Sequence, residues 1–222
     1  MFKELSKDMN ENLEKLYSAA ICDVMDLHGF RDQTMLYSIK PLDRKMKMFG
    51  RALTVSAVEV FEVPKPEEAY KLEIEAVDLI KKGDVLVVTQ NSCDKASFWG
   101  ELLTVSSIFK GAEGIVIDGF TRDTLKILDL KFPCFVKGIT SADSKGRISV
   151  LQYNVPINCG GVAVNPGDYI FGDIDGVCVI PKDYIIPILI DALAKIKKER
   201  DICKDLENGM TVKDAFKKYG IL

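Results

Sequence analysis

The order of hydrophobic and polar residues predicts short strands that alternate with helices through the middle of the chain. Residues 85–90 (VLVVTQ), 114–119 (GIVIDG) and 133–138 (PCFVKG) are short apolar runs typical of buried strands. Residues 101–110 and 122–130 lie between them and carry apolar positions at helical spacing. Strands that alternate with helices pair in parallel through right-handed crossovers, so this region predicts a parallel sheet.

The amino-terminal region predicts a helix, a strand and a second helix. Residues 10–28 have apolar positions at helical spacing, and Gly29 is placed to end that helix. Residues 52–61 (ALTVSAVEVF) alternate in polarity and are β-branched, as in a strand. Residues 67–82 are interpreted as a helix that leads into the first strand of the parallel region.

After a polar loop at residues 141–149 the pattern becomes purely β. Residues 155–164 and 168–181 predict antiparallel strands. Asp175 and Gly176 are a dipeptide typical of two-residue hairpin turns, and we expect the turn there. The strands of this region therefore add antiparallel neighbours to the parallel ones, and the sum is an α/β domain with a mixed sheet.

The end of the chain is helical. One helix is expected to begin at about Pro187, and Thr211 is placed to cap a second one. Neither an internal repeat nor a low-complexity linker divides the sequence. We therefore expect residues 1–222 to form one domain with a C-terminal helical tail at about residues 183–222. Gly160 and Gly161 are not followed by a helix, which predicts a bulge or a tight strand entry and argues against a phosphate loop.

The composition restricts the class of protein without identifying a function. The chain has 222 residues, of which 47% are hydrophobic and 28% charged, and its formal net charge is -3. That charge balance argues against general nucleic-acid binding. No apolar run approaches the roughly 20 residues that span a bilayer, and the charged amino terminus is unlike a signal peptide. We expect a cytoplasmic protein with no membrane association.

Cysteine and histidine usage argues against two common kinds of site. The six cysteines are scattered without CxxC or CxxH spacing, which argues against zinc and favours reduced thiols. The single histidine, His28, precedes Gly29 and is expected to make a local contact at a helix end. An enzyme with this sequence would therefore work without a Ser-His-Asp or Cys-His arrangement.

Charged residues follow two neighbouring strands of the predicted parallel region. Glu101 opens one helix, and Arg122-Asp123 opens the next. Loops at the carboxyl ends of parallel strands share one edge of a sheet, where ligands bind. The two carboxylates suit Mg²⁺ or Mn²⁺, and the backbone amides of Leu102 and Leu103 suit an anion. Acidic residues also complement a helix dipole, and Arg-Asp pairs also occur as solvated caps, so spacing alone leaves both interpretations open. Further aspartates at 118, 173 and 175 are expected to be turn residues.

Several segments resemble the RraA-like family, which is named for a regulator of ribonuclease activity and includes 4-hydroxy-4-methyl-2-oxoglutarate aldolases. The most specific one is WGELLTVSSIFKGAEGIVIDGFTRD (99–123), and VPINCGGVAVNPGDYIFGDIDGVCVIP (155–181) and the tail also fit. The resemblance implies an α-β-β-α sandwich like the phosphohistidine swivelling domain. It also implies a homo-oligomer, a trimer or a hexamer.

Active members of that family carry Asp, twenty further residues and then Arg-Asp, and here Glu101 stands at the first position. Carried over, Asp123 is the metal ligand, Arg122 binds the pyruvyl group, and Glu101 holds metal-bound water. The resemblance also implies that the amides of Leu102 and Leu103, after Gly100, receive the substrate carboxylate.

An acidic residue from a neighbouring subunit's C-terminal helix is expected near the family's site, and Glu199 is its best match. This sequence departs from the family at two positions. Position 101 is Glu where the family has Asp, and position 126 is Lys where the family often has an acidic residue. The first change preserves the charge, whereas the second falls on the substrate side of the site.

The function implied is that of a metal-dependent lyase, an aldolase or decarboxylase, that acts through a pyruvate enolate. Its substrates would be small 2-oxo acids, cleaved by a retro-aldol step or, in oxaloacetate, by decarboxylation. The alternative is a non-catalytic protein that binds and regulates a ribonuclease. A third label of the family, methyl transfer onto a demethylmenaquinone, is disfavoured because no Gly-rich nucleotide loop follows residues 85–90.

Overall fold

A computed structural model describes residues 5–221 and shows a mixed α/β fold. The α-helices are α1 (Lys7–Asn12), α2 (Ser18–Leu27), α3 (Lys71–Asp78), α4 (Glu101–Lys110), α5 (Thr124–Asp129), α6 (Ile185–Glu207) and α7 (Val212–Tyr219). The strands are β1 (Lys40–Pro41), β2 (Met48–Glu59), β3 (Asp84–Thr89), β4 (Ser97–Trp99), β5 (Gly114–Thr121), β6 (Cys134–Ile139), β7 (Ile148–Tyr153), β8 (Ile157–Cys159), β9 (Val162–Val164), β10 (Tyr169–Gly172) and β11 (Val177–Ile180).

The main sheet has the strand order β1-β6-β5-β3-β2-β10-β11, with β4 beside β5 and β7 beside β2. Strands β2, β3, β5 and β6 pair in parallel, as the alternation of strands and helices predicts. Strands β1, β7, β10 and β11 pair in antiparallel fashion around them. The predicted mixed sheet is therefore confirmed.

Successive side chains along each strand point to opposite faces of the sheet, and this alternation separates three apolar layers. Leu86 and Val88 of β3 face α3 and α5, whereas Val85 and Val87 face the opposite way. That second face packs against the inner side of β8, β9, β10 and β11. The outer side of β10 and β11, which includes Cys178, packs against α2 and α6. The resulting order of helices, sheet, sheet and helices is the predicted α-β-β-α sandwich.

The predicted helix over residues 10–28 is interrupted in the structure. Backbone torsions at Leu16 and Tyr17 are extended, and α2 begins only at Ser18. The carboxylate of Asp173 accepts hydrogen bonds from the Ser18 amide (2.8 Å) and hydroxyl (2.6 Å). Asp173 thus caps α2 from a distant part of the chain, which helical spacing alone cannot reveal.

Two other segments differ from the sequence-based expectation. The helix predicted over residues 67–82 is limited to α3, because Tyr70 has a left-handed backbone (φ 62°) that ends the preceding turn. The predicted loop at residues 141–149 ends in β7, which pairs with β2. Strand β7 continues through residues whose side chains are partly exposed, so its apolar pattern is weak.

The two hairpins of the carboxyl-terminal half differ in detail from the sequence-based expectation. The Asp173 amide donates to the Gly176 carbonyl at 3.0 Å, which places the β10–β11 turn one residue earlier, at residues 174–175. Gly160 and Gly161 form the turn between β8 and β9, with φ of 58° and 82°, and not a bulge. Positive φ at two successive turn residues favours glycine, which accounts for the pair.

Helices α6 and α7 occupy the predicted helical tail. Helix α6 begins two residues before Pro187, and its apolar side packs against α2 in the core. The Thr211 hydroxyl accepts a hydrogen bond from the Asp214 amide at 3.1 Å, which confirms Thr211 as the cap of α7. Across residues 5–221, none of the helices combines the length and the apolar character needed to cross a bilayer.

Candidate active site

Two neighbouring strands bring the predicted site residues to one edge of the sheet. Strand β4 pairs in parallel with β5, so that Trp99 lies beside Thr121. The chain leaves β4 through Gly100 into α4, and it leaves β5 through residues 122–123 into α5. The Arg122 amide donates to the Trp99 carbonyl at 2.9 Å, which joins the two exits directly. Glu101 and Arg122-Asp123 therefore lie together, as the sequence predicts.

Asp123 approaches the first turn of α4 so closely that it requires a glycine there. Its Oδ2 accepts a hydrogen bond from the Glu101 amide at 3.1 Å. A Cβ atom at Gly100 would lie 2.5 Å from the same oxygen. Asp123 itself has a left-handed backbone (φ 55°, ψ 31°), a conformation that non-glycine residues adopt infrequently and often at functional sites. The backbone thus holds the carboxylate against the amino end of α4.

The guanidinium of Arg122 is held by a second aspartate. Nη2 of Arg122 lies 3.1 Å from Oδ1 of Asp143, and its Nε lies 3.9 Å from Oδ2 of Asp123. The Tyr70 hydroxyl donates to the other oxygen of Asp143. That hydrogen bond, followed by burial, raises the pKa of Tyr70 to about 12, so Tyr70 stays a neutral donor at neutral pH. Asp143 thereby links Tyr70 to Arg122.

These residues border a cavity of about 360 Å³. Its lining includes residues 100–103, Tyr70, Glu73, Arg122, Asp123 and Asp143. Trp99 lies beneath the cavity, fully buried, where its indole nitrogen donates to the Thr104 hydroxyl at 2.8 Å. Trp99 therefore supports the cavity from within the core. The exposed side chain of Lys126 lies on α5, whose backbone begins beside the cavity.

Glu73 is an unexpected ionisable group in this cavity. Its side chain is buried, and its Oε2 accepts a hydrogen bond from the Ser144 hydroxyl at 3.3 Å. Burial raises the pKa of Glu73, the hydrogen bond from Ser144 and the charge of Arg122 oppose the rise, and the charge of Asp143 adds to it; the net pKa is about 7. Glu73 is thus a carboxyl group that gains and loses a proton near neutral pH.

Sequence reasoning missed Tyr70, Glu73 and Asp143. A signal for Glu73 was nonetheless present, because it shares the helical spacing of Ala76 and Val77, which form the buried face of α3, and of Ile80 just beyond that helix. A carboxylate on an apolar stripe is unusual and therefore informative. Tyr70 and Asp143 have no comparable signal, since both are polar residues in segments without a regular pattern.

The donor groups of the cavity fit a hard divalent cation. Asp123 and Glu101 supply carboxylate oxygens from two adjacent helix starts that line the same cavity. Within the part of the chain that the structure describes, no group of three or more His, Cys, Asp or Glu residues could hold a metal. Mg²⁺ is commonly bound through one or two carboxylates while it keeps several waters, so two carboxylates are sufficient for it.

Glu199 lies elsewhere in the protomer. It is on α6, where its Oε1 lies 2.7 Å from Nζ of Lys195 and its Oε2 accepts from the Tyr17 hydroxyl. Lys195 also contacts Asp23 at 3.1 Å. Within one chain the structure does not bring Glu199 to Arg122 and Asp123, so its role in the site remains a prediction about a neighbouring subunit.

Two other residues singled out in the sequence, His28 and Asp118, have structural partners. His28 caps the end of α2, and its Nε2 lies 2.8 Å from Asp191 of α6. Asp118 was expected in a turn, but it lies within β5, where it accepts from the Gly160 amide at 2.9 Å and pairs with Lys137. That prediction is wrong because the apolar run continues past Asp118 into Thr121.

Comparison with known proteins identifies relatives over most of the chain. A family model described as RraA-like, Aldolase/RraA, matches residues 18–179. A Halalkalibacterium halodurans protein named "Putative 4-hydroxy-4-methyl-2-oxoglutarate aldolase" is 36% identical over 166 residues, which cover 74% of this chain and 72% of that protein. Protein DlpA of Legionella pneumophila is 32% identical over 202 residues, which cover 91% of this chain but only 32% of DlpA.

A solved structure has the same fold. Streptomyces coelicolor RraAS2, described as an unusual member of the RNase ES inhibitor RraA protein family, superimposes with a TM-score of 0.74 and 27% identity. The superposition covers 88% of this chain and 96% of RraAS2. The family match, the sequence relatives and this fold agree, and the chain belongs to the RraA-like family.

Proposed function

We propose that the protein is a divalent-metal-dependent lyase that acts on small 2-oxo acids through a pyruvate enolate. It would cleave 4-hydroxy-2-oxo acids, such as 4-hydroxy-4-methyl-2-oxoglutarate, by a retro-aldol step, or decarboxylate oxaloacetate. The observation that carries the proposal is that Arg122, Asp123 and the amino end of α4 meet in one cavity. The name of the Halalkalibacterium halodurans relative supports the same reaction class.

Asp123 and Glu101 would hold the metal ion, either Mg²⁺ or Mn²⁺. When bound, the ion supplies Lewis-acid stabilisation for negative charge on the oxygen of the 2-oxo group. The hydrogen bond from the Glu101 amide fixes Oδ2 of Asp123 at the amino end of α4. Asp123 would thus be an oriented ligand whose position is set by the backbone.

Arg122 and the first turn of α4 would bind the pyruvyl end of the substrate. The guanidinium can donate two parallel hydrogen bonds to a carboxylate, and Asp143 holds it in place at 3.1 Å. The amides of Leu102 and Leu103 belong to the first turn of α4, where helix geometry provides no intrahelical acceptor. We assign these amides to the substrate carboxylate.

Both reactions require the same stabilisation of charge. Breaking the bond next to the pyruvyl group leaves its electron pair on that group as an enolate, whether the other product is a carbonyl compound or CO₂. Negative charge then grows on the former 2-oxo oxygen, beside the guanidinium of Arg122. A fixed positive group at that place lowers the barrier because it needs no reorganisation during the reaction.

We further propose that the working form is a homo-oligomer, a trimer or a hexamer, in which a neighbouring subunit contributes Glu199. Helix α4 exposes an apolar face beside the site, on which Leu102 is 83% and Phe109 is 93% exposed. Leu125 at the start of α5 is also 76% exposed. Contiguous apolar surface of this kind is characteristic of protein interfaces, and a second copy would cover it.

Substitution of Arg122 tests the proposed lyase. The matched control is Arg44→Ala, because Arg44 is an exposed arginine outside the cavity lining. Pyruvate formation from oxaloacetate and from 4-hydroxy-4-methyl-2-oxoglutarate is measured with Mg²⁺ and with EDTA. We expect Arg122→Ala to lower kcat/KM by about 10²-fold or more, since a charged transition-state contact is lost, and EDTA to abolish turnover. Lyase activity that persists in EDTA would contradict the proposal.

A second candidate function is the regulation of a ribonuclease. It is favoured by the similarity to RraAS2, which is described as a member of an RNase ES inhibitor family. In that case the exposed face of α4 would contact a protein partner. Binding of a ribonuclease from the native host at micromolar concentration would support this function, and its failure to bind would count against it.

A further inference from the structure

Glu73 is a buried carboxyl group that the proposed metal and substrate contacts do not use. Glu73 is on the inward face of α3 and is 9% exposed, and the surface it retains borders the same cavity as Arg122 and Asp123. Burying a carboxyl group is costly unless the group is neutral or paired. A single hydrogen bond from Ser144, at 3.3 Å, joins it to the described part of the chain.

Four groups face Glu73 from the elements packed against it. Ser144 and Asp143 come from the loop after β6, Arg122 follows β5, and Tyr70 precedes α3. Burial and Asp143 favour the protonated form, whereas Ser144 and Arg122 favour the charged form. The balance puts the pKa of Glu73 at about 7, so both forms are populated at neutral pH.

The proposed reaction needs a group that moves a proton. Retro-aldol cleavage removes a proton from the hydroxyl of the substrate and later adds one to the enolate carbon. His28, the single histidine, is bonded to Asp191 at the end of α2 and is not part of the cavity lining. Tyr70 also lines the cavity, but its pKa of about 12 means that it keeps its proton at neutral pH, and it donates that proton in a hydrogen bond to Asp143.

We propose that Glu73 is a further catalytic residue, which carries the proton between the substrate hydroxyl and the enolate carbon. This inference rests on the proposed lyase function. In the retro-aldol reaction the Glu73 carboxylate accepts the hydroxyl proton as the carbon–carbon bond breaks. The electron pair of that bond passes to the pyruvyl group, and the Glu73 carboxylic acid then returns the proton to the enolate carbon.

The same step accounts for decarboxylation without another co-reactant. Glu73 begins as the carboxylic acid, and CO₂ leaves its bonding electron pair on the pyruvyl group. Glu73 then donates its proton to the enolate carbon, which yields pyruvate, and it regains a proton from water. Glu73 can serve both reactions because its pKa lies near neutral pH, where both its charged and its neutral form are present.

Exchange of the methyl protons of pyruvate in D₂O isolates this step from carbon–carbon cleavage. The exchange is followed by NMR with Mg²⁺ from pD 5 to 9 in the full chain, in Glu73→Gln and in Glu75→Gln. Glu75 is a matched control on the same helix, because it bonds the Tyr153 hydroxyl and does not line the cavity. Decarboxylation of oxaloacetate is measured in the same three proteins.

We expect wild-type exchange to rise through about pH 7 and then level off, because Glu73 must be ionised to remove a methyl proton. Glu73→Gln should lose that pH dependence and exchange about 10²-fold more slowly, as expected for a lost general base. Glu75→Gln should behave as wild type. If the wild type exchanges and decarboxylates while Glu73→Gln matches it in rate and profile, the role of Glu73 is overturned and the lyase function stands. A wild type without either activity would overturn both.

Ser144→Ala keeps the proposal testable if Glu73→Gln folds poorly. The Ser144 hydroxyl lowers the pKa of Glu73, so its removal should move the rise in exchange to higher pH. An unchanged profile would contradict the assignment.

Unfolding of the metal-free protein provides a readout without activity. Because folding raises the pKa of Glu73, this group stabilises the folded state fully below its unfolded pKa of about 4.5, and the contribution is lost as the pH rises through about 7. The wild type should therefore lose stability relative to Glu73→Gln over that range. A constant difference would mean that Glu73 does not titrate there and would overturn the inference.

Discussion

The close approach of Asp123 to Gly100 sets the geometry of the site at the scale of single residues. The carboxylate lies where the side chain of any other residue at position 100 would begin. Gly100 has an extended backbone (φ -162°), so glycine is needed there for space and not for conformational freedom. The left-handed backbone of Asp123 is what turns its side chain back toward α4.

Gly100→Ala should therefore displace the Asp123 carboxylate without unfolding the protein. We expect kcat/KM for metal-dependent decarboxylation to fall by about 10²-fold, the scale of a 1 Å misplacement in an active site. Gly176→Ala is the matched control, because its new Cβ would make only an ordinary 3.7 Å contact with Thr34. Full activity of Gly100→Ala at wild-type metal concentrations would show that Asp123 need not occupy its observed position.

Sequence reasoning could find the residues of the site that follow strands, and it could not find those that reach the cavity from elsewhere. The positions of Glu101, Arg122 and Asp123 were predictable because the loops that follow parallel strands lie at one edge of the sheet. Tyr70 and Asp143 reach Arg122 from segments without a regular pattern. Their contacts depend on tertiary packing that a single sequence does not encode in its spacing.

At the scale of elements, prediction succeeded where a local pattern was complete. Helix α4 runs from Glu101 to Lys110 as predicted, since its start, apolar face and terminal glycine are all present in the sequence. The break before Ser18 was not predictable, because the group that caps α2 is Asp173, 155 residues away. Strand β7 was missed because a polar segment gives no signal for pairing with β2.

Replacing Asp173 by Asn tests the importance of that long-range cap. Both carboxylate oxygens of Asp173 accept hydrogen bonds, from the Ser18 amide and hydroxyl and from the Asp175 amide at 3.0 Å. The NH₂ group of an asparagine at position 173 would face one of these backbone N–H donors, and two donors cannot form a hydrogen bond with each other. We expect the free energy of unfolding to fall by about 1–3 kcal/mol in chemical denaturation.

Asp175→Asn is the control for that substitution, because the Asp175 side chain is exposed. It should leave the free energy of unfolding within about 0.5 kcal/mol of wild type, as is usual at the surface. Equal stabilities for Asp173→Asn and Asp175→Asn would show that the cap does not hold α2 in place.

At the scale of the whole molecule, the apolar face of α4 leads to a prediction about assembly. Phe109→Glu puts a charge at the proposed contact between copies, and burying an unpaired charge there is strongly unfavourable. Light scattering should show a trimer or hexamer for the wild type and a smaller species for Phe109→Glu. Phe61→Glu is the control, since Phe61 is 86% exposed but lies outside α4. A monomeric wild type would contradict the proposed assembly and leave Glu199 without a route to the site.

We propose that Asp123 holds the divalent metal that the lyase reaction requires. The most direct test is the rate of oxaloacetate decarboxylation as Mn²⁺ is titrated into metal-free wild type, Asp123→Ala and Asp129→Ala. Asp129 is an exposed aspartate at the other end of α5 and serves as the control. We predict saturable, metal-dependent turnover in wild type and Asp129→Ala, and its loss in Asp123→Ala. Equal metal-dependent turnover in Asp123→Ala and wild type would contradict the role of Asp123 as a metal ligand.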